Sequence, residues 1–310
     1  MGRSMSDGSG SILRSLLFCP ATNARRLAKT LVVETDAVIV DLEDAVAASE
    51  KPAARVPAAA FLGERRDDRK VYVRVNALTT PWSFADFQAV VIAGLDGIIL
   101  PKAESAADIH VADYLIGGWE AERGLARGSV DLLPIVETAK GVEAMNEILG
   151  ASTRVKRACF GAGDFTNDTD TAWSLDNPLC AHARARLAIA SRAAGREPPI
   201  DSPWANLDDE AGFVAETEMG RRLGFGGKLC IHPSQLAAVN RTYSPTAEQV
   251  AFAQKVCAAF EAAERDGIAA IVVDGTFVDY PVVQKAYRVL KAAERLEGHK
   301  AGSPGARSTR

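Results

Sequence analysis

Eight short apolar runs, each followed by a stretch of helical periodicity, occupy residues 15–241 of this chain. The runs fall at 15–19, 37–42, 70–75, 97–100, 132–136, 158–160, 199–200 and 228–231. The helical patterns fall at 23–33, 50–61, 83–92, 105–122, 142–149, 178–194, 208–223 and 233–241. Runs this short and apolar suit parallel strands covered on both faces. Eight strand–helix units in about 230 residues match the count and length of a (β/α)8 barrel, the TIM-barrel class of α/β fold. A doubly wound open sheet is the competing arrangement. The run at 199–200 is the least strand-like, since two prolines interrupt it.

The residues that close these runs change character together. The second run ends in Asp41-Leu42-Glu43-Asp44, the third in Arg74-Val75-Asn76 and the fourth in Pro101-Lys102. The fifth ends in Glu137, the sixth in Gly161-Ala162-Gly163-Asp164, the seventh in Asp201 and the eighth in His232-Pro233. A barrel gathers all such ends on one face, where barrels of this class place their chemistry. Glu137 and Asp164 terminate consecutive runs joined by a single helical crossover, so their strands lie side by side. Two neighbouring carboxylates repel unless a proton, an Arg or a cation compensates. Oxygen ligands with no His or Cys close by favour a hard cation such as Mg²⁺. The alternative is that both acids cap loop N–H groups.

Composition narrows the function classes. The 310 residues are 47% hydrophobic and 25% charged, with net charge −4 and no basic block, which argues against nucleic acid as a partner. No apolar run approaches the roughly 18 residues of a membrane span, and the N-terminus lacks the form of a signal peptide. Five cysteines without a CxxC pair read as reduced, buried thiols of a cytoplasmic protein. Gly224-Phe225-Gly226-Gly227-Lys228 is not a phosphate loop, because Leu229 follows the lysine. His232, at a strand end before a proline, reads as structural, and the Glu-rich stretch 210–218 reads as solvated helix surface. Residues 1–11 and 299–310 are rich in Gly, Ser and charge and are expected to be disordered.

The barrel accounts for 12–243; residues 244–298 remain. They read as an amphipathic helix with Val250, Ala253, Val256 and Phe260 on one stripe, capped by Ser244 or Thr246, then a hairpin turning at Asp274-Gly275, then a last helix. About 55 residues are too few for a core of much size, so this extension is expected to pack on a barrel, its own or a neighbour's.

Eight segments now combine. RSLLFCPA, DAVIVDLEDAV, VYVRVN, GIILPK, LLPIVETAKG, FGAGDF, GFGGKLCIHPSQ and DGTFVDYPVV occur in this order from Arg14 to about Leu296. The span resembles the citrate lyase β-subunit-like branch of the HpcH/HpaI aldolase superfamily. That resemblance implies a (β/α)8 barrel with the C-terminal extension acting as a lid. It implies a carbon–carbon lyase or synthase that needs Mg²⁺, with Mn²⁺ as a substitute. The substrate would be a short 3-hydroxyacyl-CoA thioester, of citryl-, malyl- or citramalyl-CoA type, giving an acyl-CoA and a 2-oxo acid. It implies Glu137 and Asp164 as metal ligands, Arg74 at the thioester oxyanion, and Glu43 as an acid near the metal. It implies Asp279 as an acid–base carboxylate offered to a neighbour's site in a homotrimer or homohexamer. It implies substrate or CoA contacts at Phe18, Arg25, Arg26, Lys29, Lys102 and Gly163. The family's Pro-Gly after strand one is Pro20-Ala21 here, and its acidic residue before the Gly-Lys pair is Gly226. Two alternatives stay open: a class II pyruvate-type aldolase acting without CoA, and a citrate lyase β subunit that is non-catalytic alone or depends on an acyl carrier.

Overall fold

A computed structural model describes residues 12–64 and 69–302. The expectations for residues 1–11 and for 303–310 fall outside them. Eight parallel strands close into a barrel in chain order: β1 (Ser15–Pro20), β2 (Ala37–Asp41), β3 (Lys70–Arg74), β4 (Gly97–Leu100), β5 (Asp131–Val136), β6 (Cys159–Phe160), β7 (Ile200–Asp201) and β8 (Gly227–Cys230). β8 pairs back onto β1, which leaves no edge. The short 199–200 run is a strand after all, held by β6 on one side and β8 on the other.

The connecting helices are α1 (Ala24–Thr30), α2 (Lys51–Glu64), α3 (Ser83–Val90), α4 (Ala106–Glu122), α5 (Ala139–Glu143), α6 (Met145–Gly150), α7 (Ala162–Asp168), α8 (Pro178–Ala193), α9 (Glu210–Leu223) and α10 (Leu236–Thr242). α7 was not expected. It starts two residues after β6, in a Gly-Ala-Gly stretch that reads locally as loop.

Period-2 alternation sorts every strand residue to one of two places. Leu16 and Phe18, Ala37 and Ile39, Tyr72, Ile99, Leu133 and Ile135, Cys159, Ile200 and Leu229 form one cluster inside the barrel. Gly97 has no room for a side chain, because a Cβ there would lie 2.6 Å from the Tyr72 ring. The intervening residues, such as Val38, Val40, Val71 and Val73, are equally buried but on the opposite face, under the helices.

The same alternation overturns two sequence expectations. Ile200 takes the inward position of β7, so Asp201 faces the helix layer and not the strand-end face. It is fully buried there, as are its register partner Lys228 and the helix residues Arg184 and Glu216. Glu216 belongs to the stretch read as solvated surface. Arg184 Nε donates to Asp201 (2.7 Å) and Nη2 to Glu216 (2.7 Å), while Lys228 Nζ donates to Glu216 (2.6 Å) and lies 3.4 Å from Asp201. Two cations and two carboxylates close a neutral square that ties β7 and β8 to α8 and α9. His232 is structural as expected: its ring accepts the Ser234 N–H and caps the turn before α10.

Residues from Thr242 onward form a second compact unit. α11 (Ala247–Arg265) begins at a capping box between Thr246 and Gln249. β9 (Ile271–Val273) and β10 (Thr276–Val278) pair antiparallel across Asp274 and Gly275, both at positive φ. α12 (Tyr280–Gly302) takes in the first four residues of the expected tail, 299–302. Contrary to the expectation from length, this unit has its own core, built on Ala253, Val256, Phe260, Val273, Val278 and Val283. Among the described residues no helix is long and apolar enough to cross a membrane.

Removing one member of the buried square strands its partners. Lys228→Met is expected to lower stability by about 3–5 kcal/mol in urea melts; a loss below about 1 kcal/mol would show the square to be dispensable. A second network predicts an acid dependence. Burial alone would raise the Glu120 carboxyl, but Arg154 at 2.6 and 2.7 Å and the N–H groups of Gly128 and Val130 pull it down to about 2. A carboxyl that titrates lower when folded contributes fully above the ordinary range near 4.5 and loses that contribution as pH falls through about 2. Glu120→Gln should therefore flatten the acid limb of the stability curve in that window.

Candidate functional site

Extending each inward series by one step past the core cluster reaches the C-terminal mouth of the barrel. After Phe18 comes Pro20, after Ile39 comes Asp41, after Tyr72 comes Arg74, after Ile135 comes Glu137 and after Cys159 comes Gly161. All five end residues line a cavity of about 460 Å³, with Phe18, Arg26, Asp44, Gly163, Asp164, Trp173 and Pro203 completing its wall.

Arg74 is the best-held group in it. Its Nε and Nη2 donate to the two oxygens of Asp41 at 2.8 and 2.7 Å, and Nη1 donates to Asp44 at 3.1 Å. Nη1 also lies 3.0 Å from Glu43 Oε2, without a hydrogen aimed at it, so that buried oxygen has no donor among the described residues. The guanidinium covers the Phe18 ring at 4.7 Å. Burial works against its charge, but Asp41, Glu43 and Asp44 more than offset this and hold its pKa above the ordinary value. Asp41 is itself fixed, accepting from the N–H groups of Glu43 and Ala45.

Lys102 joins the remaining acids. Its Nζ donates to Glu43 Oε1 at 2.8 Å and lies 3.7 Å from Asp164, while its backbone N–H donates to Glu137 Oε1 at 2.8 Å. Burial opposes its charge too, yet its hydrogen bond to Glu43 and the charges of Glu43, Glu137 and Asp164 raise its pKa. Glu137 is 3% exposed, and burial, then the charges of Asp164 and Glu43, push its carboxyl well above the usual range. Burial likewise raises Glu43, with Arg74 and Lys102 pulling the other way. Gly161 is required here, since a Cβ would collide with the Glu137 carboxylate.

The structure thus brings together Phe18, Arg26, Glu43, Arg74, Lys102, Glu137, Gly163 and Asp164. Asp164 arrives from the first turn of α7, not from a strand end. Arg25 and Lys29 lie exposed on α1 and are not part of the cavity wall. Asp279 belongs to the second unit, where its carboxylate accepts the Val282 N–H at 3.4 Å as the cap of α12. Two residues were missed. Asp41 pins Arg74, and its signal was available: the two are register partners at the ends of adjacent strands. Trp173 forms part of the wall from the loop between α7 and α8, and nothing in its local sequence marks it.

Among the described residues no three His, Cys, Asp or Glu side chains form a metal cage. Glu137 and Asp164 nevertheless suit a hard cation that keeps water or substrate oxygens as its other ligands. Glu137 Oε1 accepts the Lys102 N–H, and burial first, then the charges of Asp164 and Glu43, raises the Glu137 pKa, which a bound cation would offset.

Comparison with known proteins agrees with this arrangement. The family model of HpcH/HpaI aldolase/citrate lyase matches residues 14–233. Citrate lyase subunit beta of Leuconostoc mesenteroides subsp. cremoris is 38% identical over 281 residues, 90% of this chain and 93% of that one. The (3S)-malyl-CoA thioesterase of Cereibacter sphaeroides is 34% identical over 93% of this chain and 97% of its own. The protein CitE of Mycobacterium tuberculosis, solved with magnesium, acetoacetate and coenzyme A, superposes with a TM-score of 0.75 at 31% identity, covering 92% of this chain and 99% of that one. With the barrel, the paired acids and these matches in hand, the chain belongs to the HpcH/HpaI aldolase/citrate lyase family, in its citrate lyase β-subunit-like branch of CoA-ester lyases.

Proposed function

We propose that this chain makes or breaks the carbon–carbon bond of a short 3-hydroxyacyl-CoA thioester, in a reaction that requires Mg²⁺ and yields an acyl-CoA and a 2-oxo acid. The observation that carries this reading is the convergence of Glu137, Asp164 and Arg74 on one cavity wall. In the cleavage direction the 3-hydroxyl loses its proton and becomes the keto oxygen of the 2-oxo acid. The C2–C3 bond breaks, its electron pair moves onto the thioester as an enolate, and C2 is then protonated. Negative charge therefore develops on two oxygens in turn. Glu137 and Asp164 would hold Mg²⁺, which supplies Lewis-acid stabilisation at the hydroxy-acid end. Arg74 offers its positive field to the enolate, and its two bonds to Asp41 keep the guanidinium from reorienting during the reaction. Glu43, whose pKa burial raises and whose Oε1 accepts from Lys102 at 2.8 Å, would serve as the acid near the metal.

Arg26, with Arg25 and Lys29 on the same exposed helix, would meet the phosphates of CoA. Asp279 would serve as the acid–base group at C2, brought by the 244–298 segment acting as a lid in a trimer or hexamer; the family resemblance is what supports this part. A thioesterase outcome is the second reading, favoured by the 34% identity to a malyl-CoA thioesterase. Incubating the purified chain with malyl-CoA or citramalyl-CoA and separating the products distinguishes the two. Acyl-CoA with a 2-oxo acid supports the lyase; free CoA with the hydroxy diacid supports the thioesterase; no turnover without an added carrier protein supports the carrier-dependent subunit.

Glu137→Gln and Asp164→Asn are each expected to weaken Mg²⁺ binding by about 10–100-fold in calorimetry while the fold is kept. Unchanged affinity in both would remove the metal assignment. Arg74→Lys retains charge but loses the planar fork, and turnover should fall by about 100-fold. A near-normal rate would reduce Arg74 to an ion-pair partner of Asp41.

A further inference from the structure

The cavity wall beside Asp164 is apolar, and this bears on which 2-oxo acid fits. Trp173 reaches it from the loop between α7 and α8 and packs its six-membered ring on Gly163, so closely that a Cβ at that glycine would lie 3.1 Å from Cζ3 and 3.5 Å from Cη2. The loop is held at both ends. Thr171 N–H donates to the Thr166 carbonyl at 2.9 Å, and Asn177 Nδ2 donates to the Ala172 carbonyl at 2.6 Å. The indole is thus a positioned wall, 37% exposed, immediately next to a proposed metal ligand.

Charge points the same way. Two guanidiniums line the cavity, Arg26 and Arg74, against the four carboxylates of Asp41, Asp44, Glu137 and Asp164. Arg74 already gives both oxygens of Asp41 a hydrogen bond, and Arg26 lies on an exposed helix face. A divalent cation would cancel the excess of two negative charges, and Lys102, whose ammonium lies 3.7 Å from Asp164, is already held by Glu43 at 2.8 Å, so neither supplies a spare charge beside Trp173 for a further substrate carboxylate. A carboxylate set against an indole without a partner loses hydration and gains nothing in return.

We infer that Trp173 and Gly163 select a 2-oxo acid whose substituent at C2 is small and uncharged, hydrogen or methyl, and exclude one carrying a second carboxylate. This rests on the proposed lyase function and sharpens it: Trp173 is a specificity-determining residue, and the substrate class is a 2-oxo monocarboxylate of glyoxylate or pyruvate size. A methyl group fits against the indole edge, whereas a carboxymethyl group would have to draw Arg74 from Asp41 or Lys102 from Glu43.

The test is binding, not turnover. The full chain in saturating Mg²⁺ is titrated with pyruvate and with freshly prepared oxaloacetate by calorimetry and by tryptophan fluorescence. Pyruvate should bind at least about tenfold more tightly than oxaloacetate and should quench fluorescence, a quench that is lost in Trp173→Phe while the affinity is kept. Trp173→Ala, at a half-exposed loop position where the fold tolerates truncation, should weaken pyruvate severalfold and shrink the ratio. Gly163→Ala, which pushes the ring outward, should do the same. Equal or tighter oxaloacetate binding by the unaltered chain overturns the inference and leaves the lyase reading standing. So does a ratio unchanged in both Trp173→Ala and Gly163→Ala. Failure of both acids to bind overturns the lyase reading and this inference with it.

Discussion

A strand in a closed barrel has two faces and no third option, and the site depends on that restriction. Ile39, Tyr72 and Ile135 fill the interior, so the residues two places further on, Asp41, Arg74 and Glu137, must rise at the mouth on the same side. A shift of one residue in any of these strands would turn a mouth residue into the helix layer and bring a valine inward. The hydrophobic interior therefore acts as the register lock for the polar group above it. Burial of Val38, Val40, Val71 and Val73 on the other face makes that lock two-sided. The polar groups at the top are positioned by the apolar packing beneath them, which meets them where the Phe18 ring lies under Arg74.

Two collections of buried charge sit on this scaffold and are balanced differently. On the outer face of the sheet, Arg184 and Lys228 meet Asp201 and Glu216 one for one, and nothing is left over. Such a cluster is costly to open and has no spare charge with which to bind a ligand. At the mouth, Arg74 and Lys102 are shared among Asp41, Glu43, Asp44, Glu137 and Asp164. Carboxylates outnumber cations there, and burial first, then the charges of Asp164 and Glu43, raises the Glu137 pKa. A folded chain keeps uncompensated acids together at a cost in stability, which makes such a cluster a candidate for function. The contrast separates a charge-balanced ion cluster from one with an excess of carboxylates on the same barrel.

What was legible in the sequence follows the same physics. The eight units could be counted because each strand is a short apolar run and each helix a periodic one; even the weak 199–200 run proved to be a strand, since neighbours on both sides hold it. The pairing of Glu137 with Asp164 was legible from chain order alone, because one crossover joins adjacent parallel strands. α7 was hidden by its glycines, which argue for loop until the strand before it and the loop after it are known. Asp201 was misread because a charge at a strand end was taken to face the mouth, when parity from Ile200 already directs it outward; Glu216 was misread as surface because its helix stretch is rich in charge. Arg74 was found, but not its anchor Asp41, which only the register of β2 on β3 reveals.

Lys102 shows the limit of such reading most clearly. It sits at φ 51°, a left-handed conformation that a long side chain adopts only at some cost. A glycine would take that conformation freely, and its presence would have flagged the turn in the sequence. The lysine is kept, and it makes two contacts at once: its N–H holds Glu137 and its ammonium holds Glu43 within 2.8 Å. A glycine could make the first bond but not the second, and a lysine in an ordinary extended turn would not place both groups in the same directions. The strained backbone is thus the price of orienting two acids from one residue. It links β4 to the acids after β2 and β5, and so joins the Arg74 network in holding the mouth of the barrel, from a conformation its own sequence would not suggest.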